Sequence, residues 1–389
     1  MRKLAANKIF TGIKKRPWIT NGIIYTDDNG KILKLSDDFE LDKEKSNVEY
    51  YSGILAPGLV NAHLHLEMSW MFNQFDNFYG IEDFISKITK FKGKLDDDEK
   101  KKKMTYFDAL MQAEGIVLGA DVINTDLSLS VKKKSKISHT NFVEIYGLDE
   151  NLKDVILNSS KKIYNQFKKE GLETYFSVHS TYSLSEKLFF SVSELLKNEK
   201  ISTIHFLEGK SEVSLFSNKR NEKLINVLLE KSEKLPFNLW KNKPEDYIYR
   251  LFPTDANLLL VHNTFTNKEI IRNIKKIFKN AYFVICPSSN ITVERTLPKQ
   301  ETFKGFEEYL LVGTDSVVTN RTNMSLSREL NILLQNGWEF ETILFAVTLN
   351  GAKALKKENI YGSLEIGKKP GITLIKFNGK EIIDSKKIF

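Results

Sequence analysis

From residue 55 onwards, short apolar runs alternate with longer segments in which apolar residues recur at helical spacing. Eight of the apolar runs have the length of buried strands. They cover residues 55–65, 115–124, 141–147, 173–179, 201–206, 257–262, 281–286 and 309–314. Helical candidates between them include residues 152–169, 186–197, 268–278 and 325–335. Eight strand–helix units in succession predict an α/β fold, a closed (β/α)8 barrel of the TIM type.

The two ends of the chain carry β-like runs instead. They cover residues 8–13, 21–25 and 31–35 before the barrel and residues 362–371, 372–377 and 381–383 after it. A hairpin signal, Asp27-Asp28-Asn29-Gly30, separates the second run from the third. We therefore expect residues 1–54 and 357–389 to form one small β-sandwich domain beside a barrel domain of residues 55–356.

Composition places the chain among ordinary globular proteins. Its 389 residues are 41% hydrophobic, enough for a large domain and a smaller one with separate cores. The amino-terminal residues contain no long apolar region, and no stretch has the length needed to cross a bilayer, so we expect a cytoplasmic protein without a membrane partner. The single cysteine, Cys286, excludes an internal disulfide and a metal site built from several thiolates.

The net charge of +8 and the pI of about 9.1 raise the question of nucleic-acid binding. Most of the excess is lysine, and small clusters such as residues 100–103 and 132–136 are interpreted as solvated faces. No basic stripe with interleaved aromatic residues is present. The sequence therefore predicts no nucleic-acid partner.

Candidate chemistry collects at the carboxyl ends of the predicted strands, where barrels keep their catalytic groups. Two histidines spaced by one residue share a face of the first strand. In all, five of the six histidines lie at such ends, and Asp315 follows the eighth strand. The five are His63, His65, His179, His205 and His262. Histidines that serve only the core would not be expected to favour strand ends, although a lone His-x-His is commonly just hydrogen-bonded.

Three imidazoles and one carboxylate suit Zn²⁺ or Fe²⁺ and leave one position open for water. We expect one divalent ion to be held by four side chains, His63, His65, His205 and Asp315. His262 is then free to contact the water or the substrate.

Motifs along nearly the whole chain resemble the amidohydrolase superfamily, in its branch of cytosine deaminases and chlorohydrolases. They are residues 57–65, 179–183, 205–208, 261–263, 286–290 and 313–316. The terminal β domain is similar as well, although Pro370-Gly371 replaces the more usual Ala-Asp of its closing motif. Where related enzymes with two metal ions carry a bridging modified lysine, this chain has His179, so the resemblance implies one ion.

The resemblance implies hydrolytic deamination. A divalent ion lowers the pKa of a water that it binds from about 15.7 to about 7. Asp315 is then expected to accept the released proton, while His262 steadies the nucleophile. Glu208 is expected to give a proton to a ring nitrogen and then pass one to the departing amine, as a non-ligand glutamate does in other metal-dependent base deaminases. The alternative interpretation of Glu208 is a surface charge that begins a helix.

Within the superfamily, residues 61–69, 205–208, 261–265 and 325–330 are similar to the aminodeoxyfutalosine deaminase subfamily. This implies conversion of 6-amino-6-deoxyfutalosine to futalosine and ammonia, in menaquinone biosynthesis. Deaminases of S-adenosylhomocysteine, methylthioadenosine, adenosine or guanine share the same machinery and remain alternatives. A metal-free binding protein on the same barrel is the alternative from another class.

The implied substrate carries a benzoate, so a cation and aromatic side chains are expected at the outer end of the pocket. Each candidate also fits a solvated or packed residue, and the residues nearest the second histidine could instead orient the ligands. The expected substrate contacts are His179, Glu67, Ser69, Trp70, Phe72, Tyr182, Asn290, Arg295, Asn320 and Arg321. A homodimer is the default expectation for the assembly.

Overall fold

A computed structural model describes residues 1–37, 47–217, 221–320 and 323–389. Fourteen strands lie within these ranges: β1 (Arg2–Phe10), β2 (Trp18–Thr26), β3 (Ile32–Ser36), β4 (Val48–Pro57), β5 (Leu59–Leu64), β6 (Ile116–Ile123), β7 (Ser138–Ile145), β8 (Thr174–Val178), β9 (Ile201–Phe206), β10 (Asn257–His262), β11 (Ala281–Ile285), β12 (Leu310–Val312), β13 (Ile372–Phe377) and β14 (Ile382–Lys387).

The helices of the same ranges are α1 (Ile81–Lys90), α2 (Asp97–Glu114), α3 (Leu129–Lys132), α4 (Lys153–Lys169), α5 (Glu186–Leu196), α6 (Lys210–Leu215), α7 (Glu222–Leu229), α8 (Pro244–Leu251), α9 (Lys268–Ile277), α10 (Pro287–Glu294), α11 (Val317–Asn320), α12 (Leu326–Gln335), α13 (Phe340–Ala346) and α14 (Leu349–Ala354). Among the described helices, none combines the length and the apolar character needed to cross a membrane.

Both ends of the chain build the small β-sandwich domain. Its strands follow the order β14-β13-β4-β1-β2-β3, in which β1 and β4 are parallel and the other neighbours antiparallel. The sheet curls around its own core, so that Leu4, Ile24, Leu55 and Leu374 belong to one apolar cluster. The hairpin signal at residues 27–30 joins β2 to β3 as expected. The predicted β-like run at residues 362–371 forms turns instead.

The barrel consists of two parallel four-stranded halves, β5-β6-β7-β8 and β9-β10-β11-β12. Single bridges close it: Ser180 pairs with His205 between β8 and β9, and Leu64 pairs with Asp315 between β12 and β5. The predicted (β/α)8 fold is therefore confirmed. One strand differs from the expectation, because the predicted run 55–65 is two strands. The first of them is β4, which belongs to the terminal domain and ends at Pro57. Gly58 interrupts the strand, and β5 begins at Leu59.

Burial on both faces explains why the barrel strands are almost continuously apolar. In β10, Leu258 and Leu260 join the large cluster that the helices cover, whereas Leu259 and Val261 join the smaller cluster inside the barrel. All six residues of this strand are buried. The last residue of the strand, His262, is polar, and it lies at the carboxyl end, where the interior of the barrel opens.

A fully buried ion pair joins Lys132 of helix α3 to Asp121 of strand β6. Lys132 Nζ is 2.6 Å from Asp121 Oδ2, with both side chains at 0% exposure, and it also donates to Asn141 Oδ1 at 2.7 Å. Asp121 Oδ1 accepts from the Leu66 N–H at 3.0 Å. The expectation that residues 132–136 form a solvated face is thus wrong for Lys132, because helix α3 turns its side chain into the protein.

Replacing Lys132 by methionine should lower the free energy of unfolding by about 3–5 kcal/mol, because Asp121 would keep a buried charge without its partner. Denaturant titration of the two proteins measures this difference. Lys134→Met, on the exposed side of the same segment, is the matched control and should change stability by less than about 0.5 kcal/mol. Equal effects of the two substitutions would contradict the prediction.

Candidate active site

Four side chains from both halves of the barrel converge at its carboxyl end. His65 Nε2 is 3.1 Å and His205 Nε2 is 3.2 Å from His63 Nε2, and Asp315 Oδ1 lies 3.4 Å from His65 Nε2. All four side chains are buried. Nitrogen ligands of a tetrahedral zinc ion, at about 2.0–2.1 Å from the metal, lie about 3.3 Å from each other. The spacing within the group His63, His65 and Asp315 therefore fits one divalent ion, and His205 adjoins this group through His63.

The pKa shifts of His65, His205 and Asp315 favour the forms that bind an ion. Burial lowers the pKa of His65, and His63 beside it acts in the same direction. Burial and the nearby His179 hold the pKa of His205 well below its usual value. Burial opposes ionisation of Asp315, but the hydrogen bond with His63 and the surrounding imidazoles outweigh it, so the pKa of Asp315 lies well below the ordinary value. Neutral imidazoles and an ionised carboxylate all offer lone pairs.

Outer hydrogen bonds fix the direction of these ligands. His205 donates from Nδ1 to the His179 carbonyl at 2.7 Å, which leaves Nε2 to face His63. Asp315 Oδ2 accepts from Thr319 Oγ1 at 2.9 Å. Next to it, Gly313 packs against the backbone of His63, where a Cβ atom would come within 2.7 Å of His63 N. Partners of this kind orient metal ligands and raise their affinity.

Left-handed backbone marks the points where the chain leaves three strands. Leu207, His262 and Asp315 have φ of +50°, +77° and +57°. For residues other than glycine this conformation costs about 1–3 kcal/mol each, and it persists where the surroundings enforce it. These turns direct the side chains of Glu208, His262 and Asp315 toward the open carboxyl end of the barrel.

Glu208 lies beside the ligand cluster rather than on the surface. Its Oε1 is 3.6 Å from His262 Nε2. Burial, followed by repulsion from the Asp315 and Glu212 carboxylates, raises the pKa of Glu208 well above its usual value. Burial also lowers the pKa of His262 to about 3. The site thus places a protonated carboxylic acid next to a neutral imidazole, which is a proton donor poised beside an acceptor.

A second carboxylate, Glu212, holds the turn that carries Glu208. Its Oε2 accepts from the Glu208 N–H at 2.8 Å and its Oε1 from Thr181 Oγ1 at 2.6 Å. Glu212 is fully buried. Sequence reasoning missed it, because a glutamate in the first turn of a helix is most simply explained as a capping charge.

The ligand cluster forms the floor of a cavity of about 550 Å³. Glu208, His262 and Asp315 line the inner end, and Glu144 of β7 lies in the side wall. The outer wall is apolar, with side chains from α1, from the loop after β7, from α4 and from α7. Lys231 is the one lysine or arginine among the described residues that line it. Neither Glu144 nor Lys231 was predicted, since neither belongs to a motif.

Two of the expected substrate contacts lie in the cavity wall, His179 and Tyr182. Their ring centroids are 6.0 Å apart. The Tyr182 hydroxyl is buried and makes no hydrogen bond within the described structure. A buried hydroxyl without a partner costs free energy, so it is a natural contact for a polar group of a ligand.

Glu67 and Ser69, just after the second histidine, do not line the cavity, although Met68 between them does. Leu66–Met71 form a 3₁₀ turn, which ends the strand alternation on which the expectation depended. Glu67 instead accepts hydrogen bonds from Asn124 N and Thr125 N, both at 3.0 Å. Ser69 Oγ donates to the Leu66 carbonyl at 2.6 Å. Contacts of these side chains with the loop after β6 and with their own turn correct the expectation of substrate contact.

The remaining expected contacts are also placed elsewhere. Trp70 stacks on Phe91 with ring centroids 5.6 Å apart, and Phe72 packs on Phe107 at 5.3 Å. Arg295 donates to the Phe78 carbonyl at 3.0 Å. Asn290 donates to the His262 carbonyl at 3.1 Å, and Asn320 donates to Glu329, so both amides support the site without lining the cavity. Arg321 lies outside the described residues.

Comparison with known proteins defines the class. A model of the amidohydrolase family matches residues 54–388, and the chain belongs to this family. The chain is therefore a hydrolytic enzyme, as the motifs predicted. Its relatives include an adenosine deaminase of Helicobacter pylori, 26% identical over 341 residues, which cover 85% of this chain and 81% of the relative. An aminodeoxyfutalosine deaminase of Nitratiruptor sp. is 26% identical over 342 residues, covering 83% and 79%.

A solved structure agrees with the fold. The aminofutalosine deaminase of Helicobacter pylori, in complex with methylthio-coformycin, superposes with a TM-score of 0.83 at 21% identity, and the match covers 100% of both chains. The barrel and the small β domain thus occur together in that protein as they do here.

Proposed function

We propose that this chain is a metal-dependent deaminase of 6-aminopurine nucleosides, which converts 6-amino-6-deoxyfutalosine to futalosine with release of ammonia in menaquinone biosynthesis. The observation that carries the proposal is the meeting of the donor group His63, His65 and Asp315, with His205 beside it, and the buried Glu208 at the floor of one cavity. The names of the relatives support the same substrate class. The cytoplasmic location and the homodimer expected from the sequence belong to the same proposal.

The ion would be held by His63, His65, His205 and Asp315, a donor set that accepts Zn²⁺ and Fe²⁺ alike. When bound, it supplies a nucleophile at neutral pH by lowering the pKa of water. The lowered pKa values of His65 and His205, which burial causes, suit this role, because ligands that are already neutral need not lose a proton to coordinate.

The residues of the chain then move the protons. As water adds to C6 of the purine, Asp315 accepts its proton and Glu208 gives one to N1, so the ring carries a tetrahedral carbon without charge on nitrogen. His262 contacts the attacking oxygen from the other side. Glu208 then takes the proton of the new C6 hydroxyl and passes it to the amine as the C6–N bond breaks, so that ammonia leaves and the 6-oxo product forms. The proton that Asp315 accepted returns to Glu208, which restores both groups. Positioned acids and bases of this kind contribute about 10²–10⁴-fold each to the rate.

The outer wall of the cavity favours one substrate among the candidates, which differ mainly at the 5′ end of the ribose. Homocysteine carries two charges, whereas this wall is built from apolar side chains: Phe84, Ile85, Ile88, Leu148, Leu152, Ile156 and Leu228. An aromatic ring fits such a wall, and Lys231 at the rim can pair with a carboxylate on that ring. A benzoate has both features, and this favours 6-amino-6-deoxyfutalosine over S-adenosylhomocysteine.

Turnover of the purified protein on a panel of substrates tests the proposal. The loss of adenine-type absorbance is followed for 6-amino-6-deoxyfutalosine, adenosine, methylthioadenosine and S-adenosylhomocysteine, with guanine as the base lacking ribose. We expect the highest kcat/KM for the first. Faster conversion of guanine than of any nucleoside would overturn the choice, and a protein that binds no metal and turns over none of them would be a binding protein.

Replacing Lys231 by methionine should raise the KM for 6-amino-6-deoxyfutalosine about two- to fivefold, since an exposed ion pair contributes about 0.2–1 kcal/mol. The KM for adenosine should stay unchanged, because adenosine lacks the carboxylate. Steady-state kinetics on both substrates measures the two values. Lys234→Met, another exposed lysine of the same segment, is the control, and an equal rise of both KM values would remove Lys231 from the pocket's specificity.

A further inference from the structure

The wall of the cavity contains one buried carboxylate that the reaction does not use. Glu144 lies at the carboxyl end of β7, is 9% exposed, and faces the cavity. Its Oε2 accepts from Asn124 Nδ2 at 3.0 Å. Its Oε1 receives no hydrogen bond within the described structure; His205 Nδ1 is 3.7 Å away and already donates to the His179 carbonyl.

A second ion is a poor occupant for this place. Donor atoms of Glu144, His179 and His205 do lie within 4.8 Å of one another. However, His205 Nδ1 carries the hydrogen that it donates to a carbonyl, and its Nε2 faces His63, so His205 has no lone pair to offer on this side. The cluster therefore lacks a third ligand.

The open oxygen of Glu144 belongs to the cavity wall and receives no hydrogen bond from the protein, so a ligand that offers a donor there gains a hydrogen bond. Within the described cavity wall, the one lysine or arginine is Lys231 at the rim, so the wall itself gives Glu144 no cationic partner. The imidazole of His179 stands beside the carboxylate and supplies a second polar contact. The Glu144 carboxylate can accept a hydrogen bond and the His179 imidazole lies next to it, so the two side chains match two neighbouring hydroxyl groups of a ligand.

We propose that Glu144 and His179 form a ribose subsite, in which Glu144 Oε1 accepts a hydrogen bond from one of the two ring hydroxyls and His179 contacts the other. This rests on the proposed function, which places the 6-amino end of a nucleoside at the ion and leaves the sugar toward the cavity wall. The subsite restricts the enzyme to ribonucleosides. It selects against the deoxynucleoside that lacks the hydroxyl facing Glu144 by about 10- to 100-fold, the range for a hydrogen bond to a charged group.

The test uses adenosine, 2′-deoxyadenosine and 3′-deoxyadenosine with the metal-loaded protein and its Glu144→Gln variant. Steady-state kinetics gives kcat and KM for each compound. We expect the wild type to disfavour one of the two deoxy compounds about 10- to 100-fold. The variant should lose most of this preference through KM, with kcat and metal content close to wild type. Glu194→Gln on the exposed surface of α5 is the control and should keep the preference.

Three results would overturn the subsite. If the wild type has the same kcat and KM for all three compounds, the subsite is refuted without any variant. A variant that keeps the preference places the recognition elsewhere. A variant whose kcat falls equally for all three, with lowered metal content, would show that Glu144 positions His205 instead. Failure of the proposed function looks different, since the wild type would then neither bind nor convert any 6-aminopurine nucleoside.

Discussion

Replacing Glu208 by glutamine is expected to lower kcat by about 10²–10⁴-fold, the contribution of a positioned acid–base group. Glutamine has nearly the same shape and can keep the place beside His262, but it cannot give a proton to the ring. Because Glu208 is not an ion ligand, metal content should stay at the wild-type value. Single-turnover rates and metal analysis of both proteins measure the two quantities, and an almost unimpaired variant would refute the shuttle role.

The pH profile gives this prediction a second readout. Burial raises the pKa of Glu208 well above its usual value. The step needs the protonated form, so kcat/KM of the wild type should fall as the pH rises through that raised pKa. The Glu208→Gln variant lacks this titrating group, so its residual activity should not fall as the pH rises. Glu194→Gln, which changes a surface carboxylate in the same way, should keep the wild-type profile.

The Asp315→Asn enzyme is expected to lose both metal and turnover, with kcat/KM lower by about 10²–10⁴-fold. The substitution removes the one anionic ligand and the group that accepts the proton of water. Backbone strain does not contribute, because asparagine adopts the left-handed conformation at φ +57° as readily as aspartate does. Metal analysis after dialysis and steady-state kinetics measure the losses.

Thr319→Val separates the role of the ligand from that of its support. It removes the 2.9 Å hydrogen bond to Asp315 Oδ2 and a longer one, of 3.3 Å, to the Ser316 carbonyl, and leaves Asp315 itself in place. Loss of such an outer contact should cost about 10–100-fold in metal affinity or activity. If Thr319→Val were as severe as Asp315→Asn, the carboxylate would act mainly as a structural anchor.

The sequence predicted the barrel and the convergence of His63, His65, His205 and Asp315 because both depend on strand ends, which apolar runs locate well. His205 and Asp315 are 110 residues apart by number, yet each lies at the carboxyl end of a run that a parallel barrel must bring to the same face. The confirmed hairpin at residues 27–30 has the same kind of local cause, since Asp27 Oδ1 accepts from the N–H groups of Asn29 and Lys31.

The wall of the pocket was predicted less well, for a physical reason. Side-chain direction beyond Leu64 depends on the 3₁₀ turn that follows, and no periodicity reports such a turn. Glu67 and Trp70 were therefore assigned to the cavity although they face other segments. Glu144 was missed for the opposite reason. It lies on a strand among apolar neighbours, and only the assembled barrel shows that its carboxylate faces the ion site.

The division of the barrel into two four-stranded halves limits where catalysis can reside. The first half supplies His63 and His65, while His205, His262 and Asp315 come from the second, and single bridges join the halves at both junctions. Neither half, taken as a separate fragment, possesses all four of the proposed ion ligands. The proposed activity would thus be a property of the closed ring, and an ion held there would cross-link the two halves.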